Sequence, residues 1–197
     1  MKAGRNVIGA LGLWTALASV TMLTAHAASP GGAQWRIDPA HTEIAFSIDA
    51  MGYPKTDGAF RQFDGRISIN LDHPEKSSVA FHVKSGSVDA GSASFSDYLR
   101  SAAFLDAQHY PSIDFVSTSV QKVNDHSVRV TGELTLLGVT KPLSVDVAIR
   151  PLPASRGRRF AFEAAAEIDR LAFGMNSGFP LVSRDVELRI SSEAAAL

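Results

Sequence analysis

The stretch TEIAFSIDA, residues 42–50, carries the pattern on which our prediction of the fold rests, an alternation of apolar and polar side chains. Ile44, Phe46 and Ile48 share one face of an extended chain, and mainly polar residues take the other face. Such a period of two is typical of a β-strand with one buried side. We therefore expect a strand here that turns its apolar face towards a core.

The same alternation recurs along most of the chain beyond residue 34 and predicts about eight or nine strands. Turn signals such as Asn124-Asp125 and Lys141-Pro142 separate the strands at short intervals, which favours antiparallel pairing. One segment, Ser94 to Ala107, instead repeats apolar residues at helical spacing, with Ser94 as the expected N-cap. We expect one short helix across one end of the sheet structure.

A sheet with one apolar face must pack on a second sheet or close on itself. We expect a mainly β protein, a single antiparallel β-barrel of about eight strands capped or flanked by one helix. The polar outer face argues against a barrel of the outer membrane. Residues expected to face the interior, and to contact a ligand if that interior is hollow, are Ile44, Phe46, Ile67, Ile69, Phe81, Phe115, Leu134, Val145 and Phe162.

Periodicity leaves open whether this interior is hollow or filled by its own side chains. In a hollow barrel, each methylene group of a buried ligand contributes about 0.8 kcal/mol, so a long apolar tail is held without hydrogen bonds. A filled barrel would instead be a structural or stress-related interaction module.

Composition excludes several classes of function. The chain has 197 residues, a formal net charge of -1 and no basic run, which argues against nucleic acid as a partner. Cysteine is absent, so disulfides, thiolate metal sites and thiol nucleophiles are excluded.

The first 27 residues have the features of a cleavable export signal. Lys2 and Arg5 precede a mainly apolar stretch from Val7 to Leu23, and Ala25-His26-Ala27 resembles a cleavage site. The alternative is an uncleaved membrane anchor. We expect cleavage, export to the periplasm, and a single mature domain over residues 28–197 that does not span the membrane.

No catalytic motif is present: we find no nucleophile elbow, P-loop, dinucleotide fingerprint or His-Glu-x-x-His helix. We expect no catalytic residue, cofactor or metal ligand, although a cupin-like histidine site remains an alternative.

Three residues are candidates for contact with a ligand head group: His41 and His109, which stand beside prolines, and Arg100, whose guanidinium suits an anionic head. For both histidines we favour a structural, hydrogen-bonded role. Surface ion pairs are the expected role of other charges that are neighbours in sequence, including Asp169 and Asp185 with Arg170 and Arg184.

Five segments, taken in order, resemble the YceI-like family: WRIDPAHTEIAFSI (35–48), GAFRQFDGRISI (58–69), YLRSAAFLDAQHYPSIDFVST (98–118), VTGELTLLGVTKPL (130–143) and IDRLAFGM (168–175). The resemblance implies a lipocalin-like barrel in the periplasm whose lumen holds a polyisoprenoid or another long-chain lipid, such as an isoprenoid quinone or a fatty acyl chain. We therefore expect a lipid-binding carrier and no enzyme, and the sequence leaves a homodimer open.

Overall fold

The computed structural model describes residues 33–70, 73–152 and 159–196, which form eleven β-strands and one α-helix. The predicted signal peptide and the predicted domain boundary at residue 28 lie outside these residues. The helix α1 spans Ala93–Arg100. The strands are β1 Ala33–Ile37, β2 Glu43–Ala50, β3 Thr56–Phe60, β4 Phe63–Ile69, β5 Ser78–Lys84, β6 Val88–Asp89, β7 Ser112–Asn124, β8 Ser127–Leu136, β9 Val139–Pro151, β10 Arg159–Asp169 and β11 Val182–Ala196.

Eight of the described strands close into a barrel in the order β1, β4, β5, β7, β8, β9, β10 and β11, and β11 pairs again with β1. All of these pairs are antiparallel. Trp35 opposite Ala196 begins the contact that closes the ring. Closure gives each strand two neighbours and removes the exposed edges of an open sheet. The predicted antiparallel barrel of about eight strands is confirmed.

The three remaining strands extend the sheet from one side of the barrel. β2 pairs with residues 182–191 of β11, β3 pairs with β2, and β6 pairs with β3. A single turn of 3-10 helix, Pro39–His41, separates β1 from β2 and is N-capped by the Asp38 side chain. Thr42 follows this turn and donates a hydrogen bond to the Asp38 carbonyl oxygen at 2.7 Å. β1 and β2 therefore act as two parts of one bent strand along β11.

The helix is present, but its predicted bounds are wrong. Ser92, and not Ser94, is the N-cap, and its side chain accepts a hydrogen bond from the Phe95 backbone amide. The helix ends at Arg100, and residues 101–107 continue in turns. Ser101 in the C-cap position is extended, with ψ 170°, so helical spacing in the sequence persists beyond the hydrogen-bonded helix.

The turn predicted at Lys141-Pro142 is also wrong, because both residues lie within β9. The chain reverses instead at Leu137 and Gly138, whose φ angles are 52° and 71°. Two consecutive residues with positive φ make the tight connection that matches the twist of a β-hairpin. A leucine at such a position gives little turn signal in a sequence.

The barrel has two distinct ends. We call one the turn end; it contains the β7–β8 turn, the β4–β5 connection and the start of β1. We call the other the helix end; it contains α1, the β8–β9 turn and the connection from β10 to β11. A cluster of buried side chains around Trp35, Ile67 and Phe162 lies at the turn end, and a cluster around Leu99, Leu134 and Phe173 lies at the helix end.

Candidate functional site

The barrel interior is hollow at the turn end. A cavity of about 300 Å³, which we call the turn-end cavity, is enclosed mainly by aliphatic and aromatic side chains. Members of its wall from six strands are Ile67, Phe81, Val130, Val147, Phe162 and Ile190. Its volume is at the lower end of the range of about 300–1,000 Å³ that is typical of small-molecule pockets.

A second cavity, of about 160 Å³, lies at the helix end. Its wall exposes no nitrogen or oxygen atom to the cavity, so water gains no hydrogen-bonding partner there. The helix and the turns after it form part of this wall through Leu99, Phe104 and Leu105. A group placed in this helix-end cavity would therefore contact only hydrocarbon.

The two cavities follow each other along the barrel, because β5, β7, β8, β10 and β11 each contribute wall residues to both. A pair of phenylalanines on neighbouring strands lies where the two cavities meet along these strands. Phe81 of β5 lies opposite Phe115 of β7; the first borders the turn-end cavity and the second the helix-end cavity. We call this pair the neck.

A glycine positions one side of the neck. The ring of Phe115 lies over Gly132 of β8, so close that an added Cβ atom there would be 2.6 Å from the ring. A glycine within a strand often marks such a close approach. The absence of a side chain at position 132 thus sets where the Phe115 ring can lie.

Polar residues border the turn-end cavity mainly where it reaches the β7–β8 turn and the end of β4. Across this rim, Lys122 and Asp125 form an ion pair at 2.6 Å. The hydrogen bond from Lys122 lowers the pKa of the Asp125 carboxyl. The other polar side chains in this part of the wall are Ser68, Asn70, Ser77, Asn124, His126 and Ser127.

Most of the predicted lumen residues border one of the two cavities. Ile67, Phe81 and Phe162 border the turn-end cavity, and Ile44, Phe46, Phe115 and Leu134 border the helix-end cavity. Val145 borders neither; it is half-buried in β9 opposite Val130. The side chain of Ile69 lies outside the described residues. Contact of these residues with a ligand stays a prediction.

The three predicted head-group residues do not border either lumen cavity. His41 and His109 are largely exposed, and the Nδ1 atom of each lies 2.8 Å from a carboxylate three residues earlier, of Asp38 and Asp106 respectively. Arg100 joins α1 to neighbouring backbone, with donors 2.8 Å from the Gly86 oxygen and 2.7 Å from the Val88 oxygen. These contacts explain all three side chains as local structural links, and their contact with a head group stays a prediction.

Arg170 is the residue that sequence reasoning missed. We expected a surface ion pair, but the side chain is only 1% exposed, and it is Arg184 that pairs with Asp169, at 3.0 Å. The Arg170 guanidinium donates to four carbonyl oxygens of the connection between β10 and β11: those of Met175, Ser177, Val182 and Ser183.

Burial lowers the pKa of Arg170, because the charged form loses contact with water. Its side chain also borders the helix-end cavity without exposing a nitrogen atom to it. Arg170 therefore fixes the connection that covers this end of the lumen. Its position next to Asp169 and within the segment IDRLAFGM gave no signal that distinguishes it from a surface arginine.

Residues 33–70, 73–152 and 159–196 contain neither a membrane-spanning helix nor a cluster of metal-ligating side chains. No helix there has the length and apolar character needed to cross a bilayer. No three histidine, aspartate or glutamate side chains come together there as a metal site would require.

Comparison with known proteins identifies the family. A model of the YceI-like domain matches residues 35–194. The protein YceI of Salmonella arizonae is 34% identical over 181 residues, which cover 90% of this chain and 93% of the relative. The YceI protein of Salmonella dublin is similar to the same extent.

Solved structures show the same fold. The structure of BcnA from Burkholderia cenocepacia superposes with a TM-score of 0.75 at 24% identity, covering 81% of this chain and 99% of that chain. A polyisoprenoid binding domain from Saccharophagus degradans superposes with a TM-score of 0.67 at 15% identity, covering 83% and 98% of the two chains. The family match and the curated relatives together show that this chain belongs to the YceI-like family.

Proposed function

We propose that this protein binds a long apolar lipid, such as a polyisoprenoid, an isoprenoid quinone or a fatty acyl chain, inside its barrel, and that it acts as a carrier and not as an enzyme. The observation that carries the proposal is the two-section lumen, and above all its helix-end cavity with no nitrogen or oxygen in the wall. A solid barrel, the alternative from the sequence, would need that space to be filled by side chains.

Burial of hydrocarbon supplies the binding energy. At about 0.8 kcal/mol for each methylene group, a tail long enough to enter both cavities gains several kcal/mol before any polar contact is made. Water in an apolar cavity lacks the two to four polar partners that a buried water needs. Displacing it, or filling empty space, therefore favours the bound lipid.

The comparisons support the class of ligand. The structural neighbour from Saccharophagus degradans is described as a polyisoprenoid binding domain, and its barrel resembles this one in fold. We propose that residues 1–27 act as a cleavable signal peptide and that the mature carrier works in the periplasm, with Lys2 and Arg5 preceding the apolar stretch that such signals require.

The test uses two variants of neighbouring residues in β10. Ala164 borders the turn-end cavity, whereas Ala165 is exposed on the outer face of the same strand. We expect Ala164→Phe to reduce the uptake of geranylgeraniol by the delipidated protein at least tenfold, because the new ring occupies the lumen. Ala165→Phe makes the same chemical change outside and should leave uptake unchanged.

Native mass spectrometry and organic extraction of the protein, purified from the periplasm without added lipid, provide the second measurement. We expect a lipid in close to stoichiometric amount from wild type and much less from Ala164→Phe. Equal uptake by both variants, or a clean extract together with no uptake by wild type, would contradict the proposal.

A further inference from the structure

We infer that this protein docks on the surface of a phospholipid bilayer through two neighbouring loops at the helix end of the barrel. We call the exposed apolar side chains of these loops the apolar tip: Met51, Tyr53, Phe179 and Leu181. The inference rests on the proposed function and adds to it a partner surface, the membrane contact at which a lipid carrier loads and releases its cargo.

The apolar tip belongs to the β2–β3 loop and to the connection from β10 to β11. The backbone amide of Met51 donates to the Leu181 carbonyl oxygen at 2.7 Å, so the two loops lie side by side. The four side chains of the tip are between 54% and 77% exposed. Large apolar side chains that gather on adjacent segments without being buried mark a surface that contacts a partner.

Neither loop carries a charged residue. Residues 50–54 and 171–183 contain no Asp, Glu, Lys or Arg, although such residues make up 20% of the chain. The turn end of the barrel differs, because its β7–β8 turn contains Asp125 and its β4–β5 connection contains Glu75 and Lys76. Charged residues are the ordinary occupants of a water-exposed surface, so their absence from both helix-end loops suits an apolar partner.

The shape of the apolar tip favours a bilayer over a folded protein. Gly52 and Gly178 have φ angles of 79° and 77°, so each loop turns within the left-handed region that favours glycine. A standard protein interface buries about 800 Å² on each partner. Four side chains that are about two-thirds exposed offer less, since even a whole aromatic side chain has only about 150–250 Å². A bilayer needs no matching shape, because its lipids rearrange around an inserted side chain.

The residue types of the tip are those of a membrane interface. Tyrosine is enriched there because its ring is apolar while its hydroxyl reaches water and head groups. Phenylalanine and leucine are typical of the face that a peripheral protein buries at the boundary between head groups and acyl chains. Tyr53 is 77% exposed, so its ring can enter this boundary without unpacking the fold.

The charges behind the tip are already paired. Lys55 and Arg184 are the first charged residues after the two loops, and they lie 2.9 Å from Glu187 and 3.0 Å from Asp169 respectively. Both cations are therefore neutralised by carboxylates of the protein. Docking must then depend on the apolar area of the tip and not on attraction to anionic lipids.

The connection that carries half of the apolar tip also covers the helix-end cavity. Its inner side packs Phe173 and Met175 into the helix-end cluster, and Met175 borders the cavity. Its outer side exposes Phe179 and Leu181. Docking through this connection places the apolar helix-end cavity against the membrane, where a lipid can exchange.

The first experiment reports insertion through an introduced indole. Phe179→Trp places it in the tip, and Val123→Trp places it at an equally exposed residue, 54%, near the turn end of β7. Trp35 is buried and supplies a constant background in both variants. With vesicles of phosphatidylcholine, we expect the emission of Phe179→Trp to shift to shorter wavelength and to be quenched about twofold by brominated acyl chains. The control should show neither effect, and a tip indole that behaves like the control would overturn the inference.

The second experiment removes apolar area from the tip. The double variant Met51→Gln with Leu181→Gln should bind these vesicles at least tenfold more weakly in a flotation assay. Val116→Gln with Val123→Gln makes a similar change at two exposed residues of β7 and should leave binding unchanged. All four positions are exposed, so both double variants should keep the melting temperature of wild type. Equal binding by the two double variants would contradict the role of the tip.

Lipid composition and salt separate apolar docking from electrostatic adsorption. We expect wild type to bind phosphatidylcholine vesicles about as tightly as vesicles that also contain phosphatidylglycerol, at both low and high salt. Binding that requires phosphatidylglycerol and disappears at high salt would overturn the inference. A dimer that the Met51→Gln and Leu181→Gln substitutions dissociate, without vesicle binding by wild type, would assign the tip to a second copy of the chain.

Transfer of geranylgeraniol distinguishes this inference from the proposed function. The tip double variant should take up free geranylgeraniol to the same extent as wild type but load it from vesicles at least tenfold more slowly. Ala164→Phe, with its lumen blocked, should still bind vesicles like wild type. Uptake of free geranylgeraniol without vesicle binding would refute the docking surface alone, whereas vesicle binding without any uptake would refute the proposed function.

Discussion

Replacing Gly132 by alanine tests the close contact between β7 and β8 that forms one side of the neck. The added Cβ atom would lie 2.5 Å from the Val116 carbonyl oxygen and 2.6 Å from the Phe115 ring. Both distances are shorter than van der Waals contact allows. The carbonyl belongs to the paired backbone of β7 and cannot move without disturbing the strand register. The ring must therefore move into the lumen, or the two strands must separate.

The size of the effect follows from two opposing contributions. Overpacking of a well-packed site costs about 1–3 kcal/mol. Alanine in a strand is favoured over glycine by roughly 0.5–1 kcal/mol, because its unfolded backbone has less freedom to lose. We expect a net loss of about 1–2 kcal/mol, which lowers the melting temperature of a domain of this size by roughly 2–8 °C.

Thermal and urea unfolding followed by circular dichroism measure this change. Gly86→Ala is the matched control, because an added Cβ there would meet only the Ala107 side chain at an ordinary 3.9 Å. We expect the control to match wild type or to be slightly more stable. If Gly132→Ala is as stable as Gly86→Ala, the contact does not constrain the neck and the reasoning is refuted.

Three other predictions concern the helix end, the barrel surface and the helix. Arg170→Met should cost at least about 3 kcal/mol in urea unfolding, since it leaves four carbonyl oxygens without their donor and each unsatisfied group costs about 1–3 kcal/mol. The hydrogen bond from Arg129 holds the pKa of the Asp146 carboxyl below its ordinary value of 3.8. A carboxyl whose pKa is lower in the folded than in the unfolded state stabilises the fold at pH values above its unfolded-state pKa, and this contribution is lost as the carboxyl is protonated. The urea concentration at the unfolding midpoint should therefore stay constant from about pH 8 to 5 and decrease below about pH 4. Ser92→Ala removes the acceptor for the Phe95 amide and should destabilise α1 by about 1 kcal/mol, seen as faster hydrogen exchange in residues 93–100.

Each of these outcomes has a control. Arg184→Met removes an exposed ion pair and should cost much less than Arg170→Met; similar losses would contradict the role assigned to Arg170. Asp146→Asn should reduce the fall in stability at low pH, and an unchanged acid slope would exclude this pair as a contributor. Ser92→Asp keeps an N-cap acceptor and should restore slow exchange; fast exchange in both variants would show that the cap is not what holds the helix.

The barrel could be predicted from sequence because strand periodicity is a local property. Alternation in residues 42–50 and in the later stretches places apolar side chains on one face, and closure is one of the few arrangements that buries such a face. The predicted wall residues are for the most part those whose side chains border the lumen. The helix and the β8–β9 turn were placed less well. Ser92 and Ser94 are both suitable N-cap residues in the sequence, and the positive φ of Leu137 has little sequence signal.

The division of the lumen and the role of Arg170 could not be predicted. The neck depends on which residue of β8 lies under the Phe115 ring, and that depends on the register between two strands. Arg170 is buried because four carbonyl oxygens surround it, and backbone oxygens have no sequence signature. Contacts across strands decide both features, so they emerge only when the chain is folded.

The way in which β11 completes the ring has a consequence for how the chain reaches its final state. β11 is hydrogen-bonded to β10, β2 and β1, so the strand nearest the start of the described chain stays incompletely paired until the strand nearest its end arrives. Contacts between such distant parts of a sequence form slowly, and edges left open meanwhile can associate with other chains. We therefore expect spontaneous refolding from urea to be slow and concentration-sensitive, and a holding chaperone to raise its yield.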